Sequence, residues 1–233
     1  MGVAKVKGGR YEGEFSDNLM HGYGVHKRAD GKIYEGEYMD GERAGYGVQR
    51  WVTDNVSYEG EWKDDMMHGL GKIQHHAKGI SYEGEWKDDN KHVGVYNMPS
   101  GDVYKGEYRD NQKHGKGVYQ WHNGVIYEGE WKYGKKNGYG VQIRANGSRY
   151  EGKWNADDQH GYGVSRRRKG SIVHDGKWEH GKPVAESAPD AITEGEVSPS
   201  ATARQRALAA AAQARSIAES IRAITSTSDD DFY

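Results

Sequence analysis

Aromatic, glycine and acidic positions alternate along most of the chain in one short motif, Tyr-x-Gly-x-aromatic. The motif recurs every 22 to 24 residues, beginning at Tyr11, Tyr34, Tyr58, Tyr82, Tyr104, Tyr127 and Tyr150. An eighth, weaker copy runs from His174 to Trp178, with His in place of Tyr. Because a fixed period of this length is the signature of a repeat architecture, the pattern predicts an array of about eight units.

Each unit predicts a β-hairpin. In Tyr34-Glu35-Gly36-Glu37-Tyr38 the rings alternate with carboxylates, which places rings on one face of a strand and carboxylates on the other. We expect a five-residue polar connection, such as Lys63–Met67, and then a Gly-x-Gly strand. Strong turn dipeptides would join successive hairpins at Asp30-Gly31, Asn123-Gly124 and Asn146-Gly147. Since a lone hairpin is marginal in water, the units must stack into an all-β, elongated and twisted antiparallel array.

The composition agrees with a core of rings packed against a glycine-rich backbone. The chain holds 7 Trp, 17 Tyr, 2 Phe and 34 Gly, and its formal net charge is −2. It has no cysteine, no apolar run long enough for a membrane-spanning helix and no visible signal peptide. We therefore expect an intracellular protein of the cytoplasm or cytoskeleton. Carboxylates throughout the array would repel phosphates, so we expect no nucleic acid partner.

The recurring polar residues do not predict catalysis. Paired carboxylates such as Glu59 and Glu61 appear in nearly every unit, which favours a solvated polar face over acid–base chemistry. Histidines such as His68 and His114 share one repeat position, and neighbouring copies should lie about 10 Å apart, too far to share a metal ion. We predict no enzyme activity, no catalytic residues, no metal site and no cofactor.

The repeat strongly resembles the MORN family (membrane occupation and recognition nexus). The segments Tyr58–Trp62 and Tyr82–Trp86 read Tyr-Glu-Gly-Glu-Trp, the family signature, and a His-Gly-x-Gly half follows in copies such as His68–Gly71. The resemblance covers about residues 8–183. It implies an elongated, twisted antiparallel array with an aromatic-lined groove that binds or spaces other molecules, with catalysis in separate domains. Relatives occur in cytoskeletal, axonemal and membrane-junction settings.

The resemblance implies a non-catalytic scaffold or adaptor whose array binds a protein segment, extended or helical, and spaces components of a cytoskeletal assembly such as a cilium or flagellum axoneme. The candidate partner-binding residues are the paired rings of the groove, Tyr34, Tyr38, Tyr58, Trp62, Tyr82, Trp86, Tyr104, Tyr108, Tyr127, Trp131, Tyr150 and Trp154. Some of these rings must instead form the packing between units. A homodimer is a further alternative for the assembly.

A peripheral phospholipid-binding or membrane-junction module is the alternative function. The dense cationic run Arg166, Arg167, Arg168 and Lys169 could contact lipid head groups. It precedes a turn glycine, Gly170, and the near-neutral overall charge favours a solvated turn as the explanation of the run.

The chain changes character after Pro183. We divide it into a lead-in (1–7), the array (8–183), an acidic linker (184–202), an amphipathic helix (203–225) and an acidic tail (226–233). The helix has a small apolar stripe that includes Ala210, Ala214, Ile217, Ile221 and Ile224. Three fates stay open for this stripe: docking in cis on the aromatic face of the array, pairing in trans with a partner or a second copy, or lying on a membrane.

Overall fold

The computed structural model describes residues 2–6, 8–185 and 197–227, which form two compact units. Unit 1 ends at Pro99 and unit 2 begins at Ser100. Both consist of antiparallel strands that pair in chain order, and unit 2 adds one C-terminal helix. The predicted all-β array of antiparallel hairpins with one helix is thereby confirmed.

Unit 1 is a meander of nine strands. They are β1 (Gly2–Val6), β2 (Gly9–Ser16), β3 (Leu19–Arg28), β4 (Lys32–Met39), β5 (Glu42–Trp51), β6 (Val56–Lys63), β7 (Met66–His75), β8 (Ile80–Lys87) and β9 (Asn90–Asn97). Strand β1 pairs with β2 through residues such as Ala4 opposite Tyr11. The lead-in therefore contains a strand that the repeat motif does not predict.

Unit 2 contains eight strands and the helix. They are β10 (Val103–Arg109), β11 (Gln112–Gln120), β12 (Ile126–Lys132), β13 (Lys135–Ile143), β14 (Arg149–Asn155), β15 (Asp158–Arg166), β16 (Ile172–Glu179), β17 (Lys182–Pro183) and α1 (Pro199–Thr227). The helix begins four residues before the predicted start and ends two residues after the predicted end. Residues 186–196 of the predicted linker and 228–233 of the predicted tail lie outside the described residues.

A ladder of rings forms the core of each unit. In unit 1, Tyr58 meets Trp62 of its own strand edge-on at 5.1 Å between ring centroids and Trp86 of the next repeat at 5.5 Å. Unit 2 has the same alternation, which ends at His174, whose ring lies edge-on to Trp178 at 5.1 Å. Edge-to-face pairs of this kind stabilise beyond their buried area. The weak eighth copy thus keeps the ring geometry of the others.

Glycine is required beneath the first tyrosine ring of each motif copy. The Tyr34 hydroxyl donates to the carbonyl oxygen of Glu37 at 3.0 Å, which lays the ring flat across the facing glycines Gly36 and Gly47. A Cβ at Gly47 would lie 2.2 Å from the Tyr34 hydroxyl oxygen, closer than any real contact. The glycines of the Gly-x-Gly half of the motif therefore provide the flat surface on which the ring packs.

The connection inside a hairpin is shorter than predicted. Strand β6 ends at Lys63 and β7 begins at Met66, so the turn is only Asp64-Asp65. Both residues have positive φ, 50° and 63°, as a two-residue type I′ turn requires and as Asp tolerates. The predicted five-residue connection was wrong because its outer residues continue the strands. The dipeptides expected between hairpins are turns, with φ near 80° at Gly31, Gly124 and Gly147.

The recurring glutamates have a structural role within the sheet. Glu61 accepts a hydrogen bond from the backbone N–H of Leu70 at 2.7 Å, beside the strand irregularity that separates Gly60 from Trp62. Glu59 accepts one from the Tyr46 hydroxyl at 3.0 Å. The carboxylates therefore stabilise the bent hairpin as well as facing solvent.

Candidate functional site

Two faces of the sheet are distinct in each unit, and the register separates them. Tyr127 pairs with Gln142, whereas the adjacent Glu128 pairs with Val141. Because neighbouring residues of a strand point to opposite faces, the rings define an aromatic face and the alternating carboxylates and valines define a second face. We call the second one the Glu–Val face.

The predicted groove residues are mostly interior residues of the aromatic face. Tyr108 is half-buried, and the other eleven are buried: Tyr34, Tyr38, Tyr58, Trp62, Tyr82, Trp86, Tyr104, Tyr127, Trp131, Tyr150 and Trp154. Their edges face each other across successive repeats, so each ring already has a packing partner. Partner binding by these twelve rings stays a prediction.

Cations lie on top of the buried rings. The Arg43 guanidinium sits 4.0 Å from the Trp62 ring centroid, and the Lys136 ammonium lies 4.2 Å from that of Trp154. Lys113 lies 4.2 Å from the Trp131 centroid, and burial lowers the pKa of Lys113 to about 8. Cation–π attraction stabilises this outer layer, so a ligand of the aromatic face would meet cations before rings.

A cleft of about 430 Å³ opens on the aromatic face of unit 1. Its half-buried apolar walls include Trp51, Met20 and Met67, and its polar lining includes Gln49 and Asp65. The volume lies in the range of ligand and peptide pockets. Together these residues offer apolar contacts beside hydrogen-bonding groups.

Hydrogen bonds hold the polar lining of this cleft in place. Arg43 donates from Nε to Asp65 Oδ1 at 2.9 Å and from Nη1 to Gln49 Oε1 at 3.2 Å. Gln49, which is buried, donates in turn to the carbonyl oxygen of Ile33 at 3.1 Å. The cleft is therefore pre-organised, which reduces the entropy lost when a segment binds.

The sequence pattern did not predict Arg43, Gln49 and Trp51 as binding-site residues. None belongs to the Tyr-x-Gly-x-aromatic motif, but the pairing of Gly47 with Gly36 places Gln49 and Trp51 on the aromatic face by period two. The strand register was the missing signal.

Helix α1 docks in cis, and it docks on the Glu–Val face of unit 2. Ala207 and Ala211 form a core cluster with Val141, flanked by Tyr139 and Ile143. The expected alternative of cis docking on the aromatic face was wrong, because that face is already closed by its own rings and cations. The helix contacts strands β10 to β16.

The predicted helix stripe is largely the buried one. Ala210, Ala214 and Ile221 are buried, and Ile217 is half-buried. The side chain of Ile224 lies outside the described residues. Ala211 and Ala218 are also buried, which shifts the stripe slightly round the helix from the predicted one.

Arginines beside the stripe bind the carboxylates of the Glu–Val face. Arg204 Nε lies 2.5 Å from Glu151 Oε2, and Arg215 pairs with Glu128. Glu151 also pairs with Arg149 at 2.6 Å. Burial raises the pKa of Glu128, and the Arg215 charge opposes that rise. The helix thus combines small apolar residues against valine with charge pairing against glutamate.

The cationic run divides at the turn between β15 and β16. Arg166 is half-buried, lies 3.7 Å from Glu151 and donates to the carbonyl oxygen of Gly170 at 3.1 Å. Arg167, Arg168 and Lys169 are exposed. Lipid head-group contact by these four residues stays a prediction, and Arg166 has a structural role.

The described residues, 2–6, 8–185 and 197–227, include no cluster of three or more His, Asp or Glu side chains that could hold a metal ion. In the same ranges no helix is long and apolar enough to cross a membrane.

Comparison with solved structures gives partial likenesses, among them two domains from Drosophila melanogaster. The SAS-4 (dCPAP) TCP domain of Drosophila melanogaster, in complex with a proline-rich motif of Ana2 (dSTIL), is 12% identical with a TM-score of 0.42, covering 65% of this chain and 81% of that one. The TCP10c domain of Drosophila melanogaster Sas-4 is 11% identical with a TM-score of 0.39, covering 67% and 93%. No curated protein matches the chain.

The family comparison identifies MORN repeats. Seven segments match, at residues 11–33, 34–56, 58–75, 82–103, 104–126, 127–149 and 150–172. Each includes a Tyr-x-Gly-x-aromatic strand, and together the segments cover more than half of the chain. Together with the ring ladder and the glycines on which the rings pack, these matches show that the chain belongs to the MORN repeat family.

Proposed function

We propose that this protein is a non-catalytic scaffold that binds a protein segment in the aromatic-face cleft of unit 1. The observation that carries the proposal is the cleft itself, where Trp51 and Met67 lie beside the pre-organised Arg43–Gln49 pair. Aromatic and arginine side chains dominate the binding energy of many protein interfaces. The cleft suits a segment that presents apolar side chains along with groups able to hydrogen-bond to Arg43 and Gln49.

The cellular setting is a further part of the proposal. MORN arrays occur in cytoskeletal and axonemal assemblies, and we propose that this chain spaces components of such an assembly, including a cilium or flagellum. Stacked repeats suit a spacing role because each repeat adds a fixed length to its unit.

The test is affinity capture from native extract, read by quantitative mass spectrometry, with the full-length chain and two variants. Trp51→Ala removes the apolar wall of the cleft. Tyr23→Ala is the matched control, because Tyr23 is an exposed ring on the Glu–Val face of the same unit. We expect to find a protein that the wild type and Tyr23→Ala capture in equal amounts. Trp51→Ala should capture at least tenfold less of it. Equal capture by all three would refute the cleft as the binding site.

The phospholipid alternative is tested on the same preparation. It predicts binding to anionic vesicles at low salt that is lost in Arg167→Glu/Arg168→Glu, since exposed cations drive such binding. Vesicle binding of that kind without any cleft-dependent protein capture would replace the scaffold proposal.

A further inference from the structure

The Glu–Val face carries one strip that recurs in both units. In unit 2, Val118, Glu128, Val141 and Glu151 come from four successive strands and share this face through the pairs Val118–Glu128, Glu128–Val141 and Val141–Glu151. In unit 1, the same repeat positions are Val25, Glu35, Val48 and Glu59, brought together by the pairs Val25–Glu35, Glu35–Val48 and Val48–Glu59. We call these four residues the unit 1 strip.

The two strips differ in how exposed their glutamate side chains are. Beneath α1, the side chains of Glu128 and Glu151 are 11% and 1% exposed. In unit 1 the Glu35 side chain is 44% exposed, and Val25 and Val48 are half-buried. The described residues of unit 1, 2–6 and 8–99, form strands and turns and include no helix.

The covered strip shows what such a surface recognises. Ala207 and Ala211 pack against Val141 because their small side chains let the helix approach the sheet closely. Arg204 and Arg215, eleven residues apart on the helix, reach Glu151 and Glu128. Valine thus selects a stripe of small residues, and the flanking glutamates select arginine.

Unit 1 repeats this chemistry and one neighbouring ring. Tyr46 occupies the repeat position of Tyr139, the ring beside the α1 cluster, and its hydroxyl donates to Glu59 at 3.0 Å. The strip ends at Lys72, which stands opposite Glu59 where unit 2 has a valine. A cation at that point limits the apolar surface to Val25 and Val48.

We propose that the unit 1 strip binds an α-helix of a partner protein that has the chemistry of α1, with an alanine-sized stripe flanked by arginines. The carboxylates of the strip repel phosphate, which disfavours a lipid or nucleic acid occupant. A helix with leucines at the positions of Ala207 and Ala211, which pack against Val141 in unit 2, would be held away from the flat valine surface. This inference is independent of the proposed function, because it concerns the opposite face of unit 1.

The experiment uses the full-length chain and a fluorescein-labelled synthetic peptide of residues 197–227 as the probe helix. Fluorescence anisotropy at low salt should show saturable binding that weakens as salt is added, since charge pairs contribute. In Glu35→Arg/Glu59→Arg we expect at least a tenfold weaker Kd. The milder Glu35→Gln/Glu59→Gln, which keeps side-chain size, should weaken binding in the same direction.

The matched control places the same charge change elsewhere on unit 1. Glu42 and Asp54 are exposed, so Glu42→Arg/Asp54→Arg should leave the Kd of the peptide within twofold of the wild type. A peptide with Arg204→Glu and Arg215→Glu should fail to bind the wild-type chain.

Two results would overturn the inference. One is the absence of saturable binding to the wild-type chain. The other is binding that survives both strip variants but is lost in Glu128→Gln/Glu151→Gln, because the peptide would then be replacing α1 on unit 2. Loss of cleft-dependent capture with intact peptide binding would refute the proposed function alone.

Discussion

Units 1 and 2 present the same alternation of glutamate and valine on one face, yet only in unit 2 does a described helix cover it. Glu35 and Glu128 occupy the same repeat position, and the first is half-buried whereas the second is buried. Both units also have the same ladder of rings on the other face. The repeat therefore stabilises the sheet through its rings and leaves the Glu–Val face available for docking.

The side chains of α1 explain why it docks on the Glu–Val face. Its stripe is mostly alanine, which has too little side chain to insert between rings, and Ala207 and Ala211 fit against Val141. Its arginines have carboxylate partners there, at Glu151 and Glu128. On the aromatic face the same arginines would meet Lys113 and Lys136.

The largest expected effect comes from removing a buried tryptophan of the ring ladder, which each unit has. Trp86 is buried, meets Tyr58 and Tyr82, and donates from Nε1 to the carbonyl oxygen of Gly71 at 3.0 Å. Trp86→Ala should lower the free energy of unfolding by about 3–5 kcal/mol, because a large cavity opens in the ladder. Trp131→Ala should cost a similar amount in unit 2. Denaturant titration followed by circular dichroism measures both, and a loss below about 1 kcal/mol would show that the rings are not core.

An intermediate effect comes from overpacking the contact between α1 and the sheet of unit 2. Ala211 is fully buried against Val141, so Ala211→Leu should destabilise the docking of α1 by about 1–3 kcal/mol. Hydrogen exchange should rise across residues 199–227 and stay unchanged in unit 1. Ala209→Leu is the control, because Ala209 is exposed on the same helix. Equal exchange in the two variants would contradict the docking face.

The smallest effect is a pH dependence at the covered strip. Burial raises the pKa of Glu128 above its ordinary value of 4.5. The folded state therefore binds this proton more tightly, and the contribution is fully present below pH 4.5 and is lost as pH rises through the folded pKa. We expect α1 docking, followed by hydrogen exchange, to weaken with rising pH above 4.5 more steeply in the wild type than in Glu128→Gln. Parallel profiles would show that Glu128 stays accessible to water.

Much of the sheet follows from period two in the sequence. Tyr58, Gly60 and Trp62 alternate with Glu59 and Glu61, which predicts the strand, its ring face and its carboxylate face. The turn length was mispredicted because Lys63 and Met66 belong to the strands. The turn itself consists only of the two Asp residues between them, which have positive φ. Strand β1 was missed because Gly2–Val6 carries no copy of the motif.

The candidate sites were harder to predict because they depend on strand register. The paired rings were expected to line a groove, but pairing across repeats buries nearly all of them, and the half-buried Arg43 and Trp51 line the cleft instead. The alanine stripe of α1 is compatible with several surfaces, and only the register that joins Glu128 to Val141 reveals its partner. Repeat periodicity defines each unit locally, whereas docking depends on side chains brought together from different repeats.

Thiol labelling of two single-cysteine variants tests the central contrast most directly, because the natural chain contains no cysteine. Val48→Cys and Val141→Cys place one thiol at the same repeat position of each unit. With a maleimide reagent we predict that Val48→Cys reacts at least tenfold faster, and that adding Ala211→Leu accelerates only Val141→Cys. Equal rates in the two single variants would contradict the account, because α1 would then leave the Glu–Val face of unit 2 uncovered.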